Sequence, residues 1–172
     1  MIKVIGCLLI IVGCTFVGFM YGEKFNKRVI QLNELDKSII QLKNEIVYIY
    51  TTLPNAFLNV SKKCIYPIGS LYIDARNMLV NNKVDSVYEA FELSIKKNED
   101  KLYLNDNDIK ILSDLTKNLG ESDIEGQINI FELTLKNLEK QIKTAESLKN
   151  KNLKMCRYLG FTVGAVIVII LI

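Results

Sequence analysis

The side chains best suited to covalent or metal chemistry are Cys7, Cys14, Cys64 and Cys156, and their spacing offers no CxxC pair. The chain has no histidine, which excludes a His-dependent zinc site, a Cys–His nucleophile pair and a Ser–His–Asp triad. Three of the cysteines fall in or beside strongly apolar runs and read as small apolar residues. No glycine-rich phosphate loop occurs. Asp106, Asp108 and Asp114 read as a helix cap, helix-start charges and a solvated face rather than an acid–base set. The sequence therefore predicts a protein that is not an enzyme, with no catalytic residue, no metal ligand and no cofactor.

Two clusters are better suited to contacting a partner. The first runs from Leu119 through Gly120, Glu121, Ser122, Asp123, Ile124, Glu125 and Gly126 to Gln127. Gly120 suits the left-handed position that ends a helix. Ser122 and Glu125 have the spacing of a capping box, so a new helix is expected from Asp123. Capping leaves Gly126 unexplained: a glycine in the first turns of a helix costs about 0.5–1 kcal/mol relative to alanine. Close helix packing or the approach of a partner would account for it. The second cluster is Glu45-Ile46-Val47-Tyr48, leading to Thr51-Thr52-Leu53-Pro54. Glu45 is expected to be solvated, with pairing to a lysine on another helix as the alternative. Glu45, Tyr48, Gly120, Asp123, Gly126 and Gln127 form the candidate partner interface.

The elements that must hold these clusters are helical. Leu32, Leu35, Ile39, Leu42, Ile46, Ile49 and Leu53 alternate steps of three and four, a heptad seam on a long helix running to about residue 50, where Pro54 closes or turns it. Pro67 separates two shorter helices expected over 55–66 and 68–80. Val87, Ala90, Phe91 and Ile95 mark another, ended by the polar run 96–101. Asn105 or Asp106 can cap a helix over 108–119 with Ile109, Leu112 and Leu115 inward. A last seam through Ile124, Ile128, Phe131, Leu135, Leu138, Ile142, Ala145 and Leu148 has no proline after it. The two long seams are expected to pack antiparallel, with the shorter helices completing an all-α bundle.

Both ends are apolar. Residues 4–21 and 159–172 contain no charged side chain. The first run, about 18 residues and roughly 27 Å as a helix, matches the hydrocarbon core of a bilayer. The second, about 14 residues and roughly 21 Å, spans only if Tyr158 sits in the interface and Lys154 and Arg157 snorkel, and is otherwise a half-buried anchor. The basic flanks Lys24, Lys27, Arg28, Lys154 and Arg157 all lie on the inner side of the runs, which puts the middle of the chain in the cytoplasm and both termini outside. The expected organisation is an N-terminal transmembrane helix over 1–22, a cytoplasmic helical bundle over 23–153 and a C-terminal transmembrane helix over 154–172. A competing reading takes Ile11-Val12-Gly13-Cys14 as a lipoprotein signal acylated at Cys14. The apolar residues Phe16, Val17, Phe19 and Met20, where a polar tether would begin, weigh against it.

A net charge of +3 over 172 residues, dispersed and without a basic arm, argues against nucleic acid as a partner. Along essentially its whole length the layout resembles the stage III sporulation protein AB family of endospore-forming bacteria. The shared features are the Lys3-containing apolar start, Gln31 with Leu32 and Leu35, Glu45-Ile46 with Tyr48, Thr51 and Leu53, Leu119-Gly120 with Asp123 and Gln127, and Leu159-Gly160-Phe161. A frequent Thr-Pro-Leu stands here as Thr51-Thr52-Leu53 with Pro54 displaced. The resemblance implies a platform in the mother-cell membrane around the forespore, similar to the F component of type II secretion and type IV pilus machines. Its implied partners are membrane lipid, an AAA-like secretion ATPase, other membrane subunits of a sporulation channel, and further copies of itself. A dimeric coiled-coil signalling adaptor is the alternative, and the short helices between the seams speak against a simple stalk.

Overall fold

The computed structural model describes residues 2–119 and 123–171, with side chains at only some positions of 2–21 and 154–171. Helix α1 spans Ile2–Lys43 and passes into a π-helical turn, Asn44–Tyr48. Helices α2 (Leu53–Lys63), α3 (Ile68–Val80), α4 (Val87–Lys97) and α5 (Asp106–Asn118) follow, with a 3-10 turn at Glu99–Lys101. Helix α6 runs over Ile124–Leu171. No strand occurs among the described residues, and the chain is all-α. It divides into two compact units, Ile30–Ile142 and the paired terminal segments Met1–Val29 and Lys143–Ile172.

Each short helix starts where local chemistry permits. Pro54 stands in the first turn of α2, where a missing backbone donor costs nothing, so it opens that helix instead of closing α1. The α2 helix ends at Lys63, before the expected 66, and the Tyr66–Pro67 peptide is cis. The Ser86 hydroxyl accepts from the Glu89 N–H at the start of α4. Asn105 and Asp108 form a reciprocal capping box on α5, so Asp108, fully buried, is a cap partner. Helix α3 closes with Asn82 in the left-handed region (φ 48°), its N–H donating to Leu79 O and that of Lys83 to Met78 O.

In the Ile30–Ile142 unit, α2 packs on α3, α3 on α4 and α4 on α5. At its centre Phe57, Tyr72 and Phe91 meet with ring centroids 5.3–6.0 Å apart, two of the three pairs edge-on. Leu32, Leu35, Ile39 and Leu42 of α1 are buried in the same chain, together with Phe131 and Leu138 of α6. That fills the first seam without a second copy. The seam departs from expectation at its end: Ile49 and, on α6, Ile124 are exposed. In the π-turn the Ile49 N–H reaches back five residues to Asn44 O, so one extra residue rotates the following positions and turns Glu45 and Val47 inward.

In the terminal unit Gly22, Val29 and Ala145 are buried, while the large side chains of Leu9, Phe16, Met20, Val166 and Ile169 are exposed. Among the described residues no helix is long and apolar enough to cross a membrane. Much of the two expected spans, over 4–21 and 159–172, and the side chains of Lys154 and Arg157 lie outside the described set.

Candidate partner-docking surface

Helix α1 and the π-turn that follows it carry a line of buried polar residues, Gln31, Glu34 and Ser38 on the helix and Glu45 in the turn. Gln31 acts as a two-sided clamp on the segment between α4 and α5: its Nε2 donates to Lys101 O at 2.9 Å, and its Oε1 accepts from the Tyr103 N–H at 2.7 Å. Glu34 Oε1 accepts from the Ile65 N–H at 2.8 Å and fixes the turn between α2 and α3. The Ser38 hydroxyl donates to Leu35 O, which leaves the Tyr72 phenol to donate to Ser38 Oγ at 2.8 Å. Burial raises the Tyr72 phenol well above its usual range.

Glu45 closes the line. Its carboxylate accepts from Asn59 Nδ2 at 2.9 Å and from the Thr51 hydroxyl at 3.0 Å, with Lys63 Nζ 4.0 Å away. The Asn59 bond foremost, then Thr51 and Lys63, outweighs desolvation and holds this carboxyl below its usual value. Glu45 is thus buried and paired, against the solvated position expected of it. It holds the loop that leaves α1.

The residues immediately after Glu45 face outward. Tyr48, Ile49 and Tyr50 are 65%, 62% and 70% exposed. Tyr50 sits at φ 59°, a left-handed backbone that a bulky side chain rarely adopts. The Thr51 N–H donating to Glu45 O at 2.9 Å holds it there. Three large apolar side chains are therefore fixed in an outward-facing turn by a buried carboxylate behind them. Such arrangements cluster at contact sites.

The second cluster lies at the same end of this unit. Lys43 Nζ pairs with Glu132 at 3.3 Å, and Asp36 faces Glu139, a carboxylate that together with the larger effect of burial raises the Asp36 pKa. The two long helices are thus antiparallel, so the π-turn that ends the first and the start of the second lie toward one end of this unit. Asp123, Gly126, Gln127 and Tyr48 are brought to one end, and Ile124, 51% exposed, joins them. The helix begins at Ile124, one residue later than expected, and its cap is Asp123, whose Oδ1 accepts from the Gly126 N–H at 2.9 Å. Gly126 is half-buried at that capped position, and the Gln127 N–H donates to Asp123 O. Gly120 and Ser122 lie outside the described residues.

Ile49 and Ile124 were expected in the seams, and Tyr50 only as the end of the first long helix. One signal could have found two of them: Ile46 to Tyr50 is a run of five consecutive large apolar residues, more than one helical stripe can bury. Away from this end, Cys64 lines an open groove of about 390 Å³ between α2 and α3 with Leu58, Tyr66, Gly69 and Ile73. Burial, then the Glu34 carboxylate, push its thiol up to about 11, so it is protonated at neutral pH.

Comparison with known proteins accounts for the whole length. Stage III sporulation protein AB of Bacillus subtilis (strain 168) is 30% identical over 171 residues, 99% of each chain. A solved structure of a stage III sporulation protein AB aligns with a TM-score of 0.66 at 28% identity, covering 72% of this chain and 96% of that one. The family model described as stage III sporulation protein AB matches residues 3–172, and the chain belongs to that family.

Proposed function

We propose that this protein is a non-enzymatic, membrane-held component of a sporulation channel or secretion complex between mother cell and forespore, playing the part that F proteins play in type II secretion. The observation that carries the sporulation role is the family match over residues 3–172. The membrane reading is supported by the charge-free runs 4–21 and 159–172, by the one-sided basic flanks, and by the large apolar side chains that the terminal unit exposes, Leu9, Phe16, Met20, Val166 and Ile169. The Ile30–Ile142 unit then lies in the cytoplasm, and its end at Tyr48–Tyr50 and Ile124–Gln127 is the surface that engages a secretion ATPase of the same complex. The coiled-coil adaptor is disfavoured because Leu32, Leu35, Ile39 and Leu42 are already covered within one chain.

Cysteine labelling on intact cells tests the topology, in a chain whose native cysteines have been replaced. A membrane-impermeant maleimide should modify a cysteine appended after Ile172 and spare Lys83→Cys until the cells are permeabilised. Labelling of Lys83→Cys in intact cells would overturn the orientation and return the lipoprotein alternative.

A further inference from the structure

The turn between α2 and α3 exposes side chains that chain reversal does not require. Turns that only reverse the chain are ordinarily built from Gly, Asn, Asp, Ser or Pro. Here Ile65 and Tyr66 stand in the turn, each more than half exposed. Their backbone is fixed from within: the Ile65 N–H donates to Glu34 Oε1 at 2.8 Å, and the Gly69 N–H donates to Ile65 O at 3.1 Å. Tyr66 also lines the groove of about 390 Å³ between the two helices, with Leu58, Cys64 and Ile73 as the other apolar walls and Lys62 in the same lining.

The charges that adjoin this groove are mainly positive. Lys62 is exposed within it, and Lys101 Nζ lies 5.7 Å from the centroid of the Tyr66 ring. Among the described residues neither ammonium pairs with a carboxylate. The neighbouring acids are already committed: Glu34 to the Ile65 backbone, Glu45 to Asn59 and Thr51, and Asp74 to Lys97 at 2.7 Å and Asn98 at 3.0 Å. Glu99 lines a different groove, with Ile95 and Ile109. Asp100, exposed next to Lys101 in the chain, offsets one charge, and Lys63, exposed and 4.0 Å from Glu45, adds another.

This combination selects among occupants. A bilayer presents a flat face and cannot fill a groove, and a nucleic acid would leave the Leu58, Tyr66 and Ile73 walls uncovered. A second copy docking through the same surface would set Lys62 and Lys101 against like charges, since a two-fold interface opposes each patch to itself. An apolar side chain entering the groove from a segment that also carries carboxylates satisfies both features, covering the walls and meeting the two ammonium groups. We infer that the α2–α3 groove receives an apolar residue flanked by aspartate or glutamate on a separate partner polypeptide. This surface is distinct from the Tyr48–Tyr50 turn: Glu34, which holds one, and Glu45, which holds the other, are about 11 residues and roughly 16 Å of helix apart.

Photo-crosslinking tests it in the full-length chain. A photoreactive phenylalanine analogue replaces Tyr66 in sporulating cells, and the crosslinked peptide is sequenced by mass spectrometry. The expected adduct lies on another polypeptide, at or beside an apolar residue with Asp or Glu within a few positions. Its yield should fall by about threefold or more in Lys62→Glu and again in Lys101→Glu, and should be kept in Lys62→Arg, because the partner's carboxylates then meet the wrong or the right charge. Both lysines are exposed, and melting of each variant unchanged from the parent separates lost docking from lost folding. An adduct on a basic or uncharged peptide, on lipid, on nucleic acid or on a second copy of the chain overturns the inference. So does the absence of any adduct, or a yield unchanged in both charge reversals. The same probe at Tyr48 reports the proposed ATPase-docking surface separately, so failure of one reading can be told from failure of the other.

Discussion

Residues 31–45, on α1 and in the first turn beyond it, and residues 48–50 treat polarity in opposite ways. The first stretch turns Gln31, Glu34, Ser38 and Glu45 inward and gives each a hydrogen-bond partner from another segment of the chain. The second turns two tyrosines and an isoleucine outward. Both stretches contribute to the family resemblance, through Gln31 and Glu45 on one side and Tyr48 on the other. The difference separates their roles: Gln31 and Glu45 identify an architecture, because they clamp loops, whereas Tyr48 is exposed and belongs to the docking surface proposed above.

The largest effect should come from breaking the buried side. Phe131→Asp sets an unpaired carboxylate at a fully buried position and should cost several kcal/mol, enough to unfold the unit against total stabilities of about 5–15 kcal/mol. Melting followed by circular dichroism on the full chain in mild detergent reads it directly. Tyr48→Asp, equally charged but at the exposed turn, should melt within about 0.5 kcal/mol of the parent. If the two variants behaved alike, the division between scaffold and docking surface would fail.

Glu45 sharpens the comparison. Removing it in Glu45→Ala leaves the Asn59 amide and the Thr51 hydroxyl without their acceptor and should cost about 2–3 kcal/mol. The carboxyl is depressed below 4.5 in the folded state, so its contribution is complete above that value and disappears as pH falls through the lower folded pKa. Denaturant melts of parent and Glu45→Gln should therefore differ at pH 7 and converge in acid. A difference that grew on acidification would mean the carboxylate is not held by these bonds.

A smaller cost is expected at Gly69. A methyl group there would stand 2.8 Å from Cys64 O and 3.0 Å from Ser61 O, both backbone atoms that cannot swing aside. Gly69→Ala should lose about 1–2 kcal/mol by forcing α3 away from the end of α2. A neutral result would show that this turn yields, unlike the clamps on α1.

The smallest effect has the opposite sign. Asparagine adopts the left-handed region more readily than tyrosine, so Tyr50→Asn should leave melting unchanged or raise stability by up to about 1 kcal/mol while removing an exposed ring. Paired with a spore count, it isolates docking from folding. A normal spore count for Tyr50→Asn combined with Tyr48→Ser would remove this turn from the docking surface.

Much of the fold was legible because its signals are local. Asn105 as one of two offered caps, the proline before Ile68 and the periodic run through Leu32, Leu35, Ile39 and Leu42 each mark an element from neighbours a few residues away. The failures occur where local signals compete. Ser122 with Glu125 and Asp123 with Gly126 both satisfy the rules for a helix start, and among the described residues Asp123 provides the cap. The heptad through Ile46 and Ile49 assumed an uninterrupted α-helix, and a single π-turn shifts its phase. Of the residues that the sequence marked as a candidate interface, Tyr48 and Asp123 are exposed, Gly126 and Gln127 are half-buried and Glu45 is buried, while the exposed Ile49, Tyr50 and Ile124 were not among them.

By itself the sequence determined the all-helical class, the family, the two charge-free ends and the polar–apolar alternation, because each depends on composition or on contacts within one or two helical turns. Only the tertiary structure decided which polar residues serve the scaffold. Whether Glu45 meets water or an asparagine depends on where α2 lands, 14 residues further along the chain, and Gln31 finds its partners 70 and 72 residues away. Backbone donors and acceptors that no helix satisfies must be met by whatever side chain packing brings near, and that choice is made by the assembled bundle.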